Sequence, residues 1–380
     1  MKPIYLDHNA TAPLDPRVLE TMLPYFTRDF GNPSSLHSFG RTARQALEAA
    51  RAEIARQLNA RESEIVFLSG GTEANNLALR GYALQHRERG HHIIASRVEH
   101  PSVLNTLKAL EKEGFECNLL ATDRYGRVDP QQVATAIRPE TILISIMHAN
   151  NEVGTLNPVG QIGALARERG IAFHCDAVQT FGKLSLNVQT LPVDLLTISA
   201  HKIYGPKGVG ALYVRRGVSI SPQLYGGSQE QHLRAGSENL PGIAGFAEAA
   251  RLIGRERDAL AQPIGRLRDE FQATLQQRIP DLVINGHPEQ RIYNTLNISI
   301  PGCPGDMLLL NLDMKGIAVS TGSACNAGKV KSSHVLTAMG LSSRLSGSAL
   351  RFSLGRDNTR EEIDYVVTEL TAIVQRLRSK

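Results

Sequence analysis

Seven short apolar, β-rich runs alternate with helix-like stretches over the first half of the chain, and this alternation constrains the fold more than any other feature. The runs are Ile65–Gly70, His92–Arg97, Glu116–Ala121, Thr141–Ala149, Ile171–Ala177, Leu195–Ala200 and Gly210–Val214. Thr72–Arg89, Pro101–Glu113, Pro130–Ile137 and Val159–Arg169 lie between them with helical patterning. Strands alternating with helices predict βαβ units and a parallel sheet. Runs such as Ile142-Leu143-Ile144-Ser145-Ile146-Met147 are apolar on both faces, as a sheet covered by helices requires. In an open sheet of this kind, ligands gather at the carboxyl ends of the strands.

The alternation stops near residue 236. Two helical stretches follow, Asn239–Ala261 and Ile264–Gln277, and Pro263 between them is expected to bend or break the run. Tyr293–Ile300, a helix around Asp306–Met314, Ile317–Val319 and a last helix Arg360–Arg378 complete a smaller α+β domain. The 380 residues are 42% hydrophobic and 21% charged, ordinary for a globular chain. The net charge of +5 is scattered, rarely beyond pairs such as Arg215-Arg216, which favours a solvated surface over a nucleic-acid face. The four cysteines form no C-x-x-C pair, so neither a disulfide framework nor a zinc site is indicated. No apolar run is long enough to span a membrane and the N-terminus has no signal-like stretch, so the cytoplasm is expected.

Lys202 ends the run Asp194–Ile198 through Ser199-Ala200-His201-Lys202 and a Gly/Pro turn. A desolvated amine there has a lowered pKa and can form a Schiff base with an aldehyde. If the aldehyde is pyridoxal phosphate, the chain must also supply an anion for the ring nitrogen and a phosphate cradle. Ser69-Gly70-Gly71-Thr72, a strand end and glycine turn before a helix, suits the phosphate, with Thr72 as cap. A plain capped turn is the even-weight alternative. Asp176, two residues from His174 on the same strand face, points to the crevice end and suits the role of the ring's anion, with a helix cap or buried ion pair as the alternative; Gln179 follows it and could donate to the ring oxygen. Cys175 faces the other way, so these three do not form a metal site. His100 precedes a helix opened by Pro101, where a neutral imidazole can stack on a ring and shuttle protons as a catalytic group, or simply cap. His91 and His92 read as a solvated turn. Asn151, in Asn150-Asn151-Glu152, also ends a buried run and suits a substrate carboxylate or the cofactor's ring oxygen. Arg351, inside a β-like run, is costly to bury unless it meets an anion. Cys325 lies in a small, glycine-rich segment with Lys329 and Lys331 after it; nearby cations favour the nucleophilic thiolate. Cys117 and Cys175 read as buried hydrophobes and Cys303 as a turn residue.

Taken together, these motifs resemble the cysteine desulfurases of the NifS/IscS type within the class V aminotransferase family. The resemblance runs from Tyr5-Leu6-Asp7-His8-Asn9-Ala10-Thr11 to Glu361-Glu362-Ile363-Asp364-Tyr365, and is most specific at Ser199–Gly208, Met147–Gly154 and Ser323-Ala324-Cys325 with Arg351–Gly355. It implies an α/β, fold type I pyridoxal 5'-phosphate homodimer. A large domain over 14–255 holds a mostly parallel seven-stranded sheet covered by helices. A small α+β domain from 1–13 and 256–380 carries the Cys325 loop. It implies Lys202 as Schiff-base lysine, Asp176 on the pyridine nitrogen, Gln179 on the ring oxygen and His100 stacked on the ring. Gly71, Thr72, Ser199 and His201 would hold the phosphate, and Ser237 would reach the neighbouring active site. Asn151 and Arg351 would clamp the carboxylate of L-cysteine. Cys325 would take its sulfur as a persulfide, leaving alanine, and pass it to an acceptor such as an iron–sulfur scaffold protein.

Three departures stand out. Ser237 replaces a common threonine, Ala200 a common glycine, and Gln229-Glu230-Gln231 a more usual His-Glu-Arg, so the loop over the cofactor is expected to differ. Housekeeping bacterial members of the family look longer past the position of Lys380 and use the extra tail to dock the iron–sulfur scaffold protein, which leaves the acceptor open. A selenocysteine lyase or cysteine sulfinate desulfinase uses similar parts. A nucleic-acid binder or an inactive scaffold leaves Lys202, Asp176 and Cys325 unexplained together.

Overall fold

The computed structural model describes residues 3–321 and 333–379. The seven runs are strands: β1 (Ile65–Leu68), β2 (His92–Ser96), β3 (Glu116–Leu120), β4 (Thr141–Ser145), β5 (Ala172–Asp176), β6 (Leu195–Ser199) and β7 (Gly210–Val214). They form one sheet in the order β1-β7-β6-β5-β4-β2-β3. Neighbours from β6 to β3 pair in parallel, and β7 runs antiparallel to both β6 and β1. All but β3 are buried along their whole length, as their two-faced apolar sequences demand. His92 belongs to β2 and is fully buried with Nδ1 2.8 Å from Thr141 Oγ1, which corrects the expected solvated turn. Cys117 is half-buried rather than buried, since β3 is an edge strand; Cys175 and Cys303 are buried.

Apolar side chains pack on both faces of this sheet. A separate core gathers Ile4 and Leu6 with Phe271, Leu296, Leu308, Leu350, Phe352 and Val366. It lies against a three-stranded antiparallel sheet of Ala349–Ser353, Thr295–Ser299 and Val283–Asn285, and the helix Arg360–Arg378. Helix Leu240–Arg278 serves both regions and continues through Pro263, contrary to the expected break. Phe246 and Ala250 sit in the sheet core, whereas Ile264, Phe271 and Leu275 sit in the second. Burial at both ends offsets the ~3 kcal/mol that an internal proline costs. The stretch expected as one helix over Thr72–Arg89 is instead a short helix Gly71–Asn76, a π turn Leu77–Gly81 and a short helix Tyr82–Gln85. Helix Ser38–Leu58 was not anticipated, although Ala43, Leu47, Ala50, Ile54 and Leu58 keep helical spacing.

The divergent segment at Gln229 has its own anchor. Glu230, Gln231 and His232 all have positive φ (45°, 59° and 67°), a strained state for non-glycine residues. The buried Glu230 carboxylate holds it, accepting from Arg51 at 2.8 and 2.7 Å and from the Phe67 amide at 2.7 Å. Removing one partner strands the other's charge in the core. Glu230→Ala is expected to cost about 3–5 kcal/mol in urea unfolding, and the double change Arg51→Met with Glu230→Leu clearly less than that.

Candidate active site

Three consecutive features converge at the carboxyl ends of β1, β5 and β6. After β1, Gly70 leads into helix Gly71–Asn76; Thr72 sits in the first turn and does not cap, because the cap position is Gly70. Gly71 packs so closely that a Cβ would come 2.9 Å from Val178 Cγ2. At the end of β6, Ser199 is 1% exposed and its Oγ has no hydrogen-bond partner among the described residues. Such an orphaned buried hydroxyl calls for an acceptor or donor from outside the chain. His201 follows, with Nδ1 3.2 Å from Thr11 Oγ1; burial, helped by the Lys202 and Lys207 cations, pushes its pKa to about 4 and keeps the ring neutral.

Lys202 closes the short 3₁₀ turn Ala200–Lys202. Its Nζ donates to the carbonyls of Asn9 and Ala10, both at 2.6 Å. Burial, then the Arg351 guanidinium, lower its pKa to about 8 against the pull of Asp7 and Asp176. The N-terminal segment that receives Lys202 was read only as a marker of resemblance.

Asp176 ends β5 and is 7% exposed. Its Oδ1 accepts from the Val178 amide at 3.0 Å and its Oδ2 from Asn75 Nδ2 at 2.8 Å. Asn75 Nδ2 also reaches Ser102 Oγ at 2.8 Å, and Ser102 Oγ lies 2.7 Å from His100 Nδ1. The Ser102 amide donates to the same ring nitrogen at 3.1 Å. Nδ1 is therefore the acceptor, and the neutral ring carries its proton on Nε2. Burial lowers the His100 pKa despite the nearby Asp176 carboxylate. Asn75 and Ser102 thus link two expected site residues, and neither was read from sequence; both look like ordinary first-turn polar residues.

On the other side, Arg351 is 4% exposed and donates to Asp7 Oδ1 at 2.7 Å and to the Asn151 carbonyl at 3.1 Å. Its Nε has no partner among the described residues. Asn9 Nδ2 donates to the Asn151 carbonyl as well, at 3.2 Å. Gln179 Nε2 donates to the Asn9 carbonyl at 3.0 Å, which ties the turn after β5 to the same N-terminal segment. Ser237 is exposed, on the segment between Arg234, which pairs with Glu73 at 3.0 Å, and helix Leu240–Arg278. Cys325 lies outside the described residues.

Beneath His100, Glu99 is fully buried, accepting from Ser96 Oγ at 2.6 Å and from the Met147 amide. Burial raises its pKa to about 8. Between about pH 4.5 and 8 the folded chain holds a proton that the unfolded chain has released, so this group's stabilisation falls as pH rises through that window. Relative to Glu99→Gln, which cannot ionise, the wild type should lose up to about 1.4 kcal/mol per pH unit there in urea unfolding.

Known proteins place this geometry. Residues 4–366 match the family model for aminotransferase class-V. The chain is 48% identical over 376 residues to the cysteine desulfurase IscS of Dictyoglomus turgidum, covering 99% of this chain and 95% of the relative. A solved NifS-like protein superposes with a TM-score of 0.93 at 37% identity, covering 98% of this chain and 99% of that one. SspA, solved in complex with cysteine, gives 0.83 at 38% identity, covering 94% and 100%. The mixed seven-stranded sheet and its covering helices are shared with these NifS-like structures. By sequence over nearly its whole length and by fold, the chain belongs to the class-V aminotransferase family, in its NifS/IscS-like group.

Proposed function

We propose that this chain is a pyridoxal 5'-phosphate-dependent cysteine desulfurase, taking sulfur from L-cysteine onto Cys325 and releasing L-alanine. The observation that carries the reading is Lys202: a half-buried amine with its pKa brought down to about 8, at the strand-end crevice that Asp176 and His100 share. The residues fit the cofactor. The orphaned Ser199 hydroxyl, with Gly71, Thr72 and His201, suits a phosphate, and Asp176 suits a protonated ring nitrogen. Gln179 suits the ring's phenolic oxygen, and the neutral, flat His100 suits the ring face. Ser237, exposed here, suits the phosphate in a partner subunit of a homodimer.

Bound pyridoxal phosphate supplies an aldehyde that captures amines and a ring that absorbs negative charge at the substrate α-carbon. Lys202 Nζ is available unprotonated near pH 8, so it can bind the aldehyde and later take the α-proton. Asp176, steadied by Asn75 and Val178, keeps a proton on the ring nitrogen. His100 carries its own proton on Nε2. Arg351 and Asn151 receive the substrate carboxylate, and Arg351 Nε, which has no partner among the described residues, can donate to it. The Cys325 thiolate attacks the substrate sulfur, breaks the carbon–sulfur bond and keeps the sulfur as a persulfide.

The apolar clusters on the two faces of the large sheet, and the separate third one, support a large domain over 14–255 and a small one from 1–13 and 256–380 that carries Cys325. The persulfide sulfur passes to an acceptor for iron–sulfur cluster or other sulfur-cofactor assembly. No helix among the described residues is long and apolar enough to cross a membrane, and we place the enzyme in the cytoplasm. Incubation with L-cysteine and a reductant should yield sulfide and alanine in equal amounts, with about 32 mass units added at Cys325 before reduction. Faster turnover of cysteine sulfinate or selenocysteine with no mass gain at Cys325 would overturn the reading.

A further inference from the structure

Lys183 is a buried lysine that the proposed reaction does not use. It stands four residues past Gln179, on the turn that follows β5, and is 9% exposed. Two tight turns bring it back beneath Gln179: Phe181 donates to the Ala177 carbonyl at 2.8 Å, and Leu184 to the Thr180 carbonyl at 2.9 Å. Gly182 makes the second turn possible, with φ +77° and a site where a Cβ would fall 2.5 Å from Ile203 Cγ2. Lys183 and Lys202 line the same small cavity behind the crevice, with His8 and Tyr293. Burial, then the Lys202 and Arg351 cations, push the Lys183 pKa to about 7. An amine kept among like charges needs a reason to be there, and its one hydrogen bond among the described residues supplies it: Nζ donates to Gln179 Oε1 at 3.1 Å.

That bond completes the constraints on the Gln179 amide. Nε2 donates one hydrogen to the Asn9 carbonyl at 3.0 Å, and a backbone carbonyl can only accept. A single bond through Nε2 leaves the amide free to swing about it. The second, through Oε1, fixes its plane and commits the oxygen to Lys183. The other Nε2 hydrogen has no acceptor among the described residues. We infer that Lys183 is a positioning residue that sets the Gln179 amide, so that its nitrogen, and not its oxygen, faces the phenolic oxygen of the bound cofactor. Lys183 has this role only if the cofactor reading above holds. A hydrogen donated to that oxygen stabilises its anion and makes the proton shared with the Lys202-linked nitrogen easier to lose. A swung amide weakens the donation, or sets oxygen against oxygen.

The test is a pH titration of the visible band of the holoprotein in the wild type, Lys183→Met, Gln179→Leu and the double variant. Each single change should raise the midpoint by about one pH unit, and the double should go no further than Gln179→Leu alone. Equal shifts from Lys183→Met in both backgrounds would mean that the lysine acts through its own charge, and would overturn the inference, as would no shift at all. Lys183→Gln keeps a donor and should return most of the way to the wild-type midpoint. If Lys183→Met does not fold, Lys183→Leu in the two Gln179 backgrounds completes the cycle: a raised midpoint with Gln179 present that is absent in Gln179→Leu supports the role, and an equal shift in both backgrounds, or none, overturns it. A wild type without a visible band would instead remove the cofactor reading.

Discussion

Lys202→Ala is expected to erase the visible band of the purified protein and to lower kcat for L-cysteine by about 10⁴-fold or more. Two separate duties fall on this one nitrogen, capture of the aldehyde and removal of the α-proton, so no neighbour replaces both. The environment makes the amine fit for them. With a pKa of about 8, half of it is unprotonated at pH 8, whereas a lysine at the ordinary 10.5 would be roughly 0.3% unprotonated. Burial and Arg351 set that value, and the carbonyls of Asn9 and Ala10 hold the nitrogen in place. His201 and Lys183 are basic groups in the same region. The ring of His201 is neutral with a pKa near 4, and Lys183 is bound to Gln179 Oε1, so neither is placed to take over. Absorbance and alanine release measured on the same preparation check the expectation. A yellow variant, or one with turnover within a hundredfold of wild type, would show that another amine holds the aldehyde.

Several of the residues legible from sequence share one property: they follow strand-forming runs. Lys202, Asp176 and Asn151 follow apolar runs, and in a parallel sheet those run ends form a single crevice, so pattern alone brought them together. His100 was legible because Pro101 marks the helix start that it caps. Residues whose role comes from distant chain segments were not. Asn9 meets Lys202 across half of the chain and Asp7 meets Arg351 across most of it, next to a two-residue strand, Ile4–Tyr5, too short to leave a pattern. Glu99 and Lys183 look like surface charges in sequence, and only tertiary packing makes one a buried acid and the other a buried amine. Pro263 misled for a related reason. Local preference says bend or break, but packing of the two halves into two cores keeps helix Leu240–Arg278 continuous. The reversed direction of β7 is likewise invisible in an apolar run that reads the same either way.

Asp176→Asn should separate charge from shape at the ring end of the site. The substitution keeps the size and leaves an oxygen for one of the two present donors, Asn75 Nδ2 and the Val178 amide. It removes the negative charge that would keep a proton on the ring nitrogen. That charge matters most when electrons flow into the ring, so the loss falls on the transition state and not on the bound substrate. We expect kcat to drop by about 10²–10³-fold, with KM for L-cysteine within roughly threefold of wild type. Holoprotein should still form, because Lys202 and the phosphate-side residues are untouched, but its visible band should shift. Asn75→Ala is the control: it deletes a hydrogen bond to the carboxylate and the link to Ser102 and His100 while leaving the charge, and should cost about tenfold or less in kcat. If Asp176→Asn fell no further than Asn75→Ala, the carboxylate would be an anchor for the strand end and the proton on the ring would have to be held by something else.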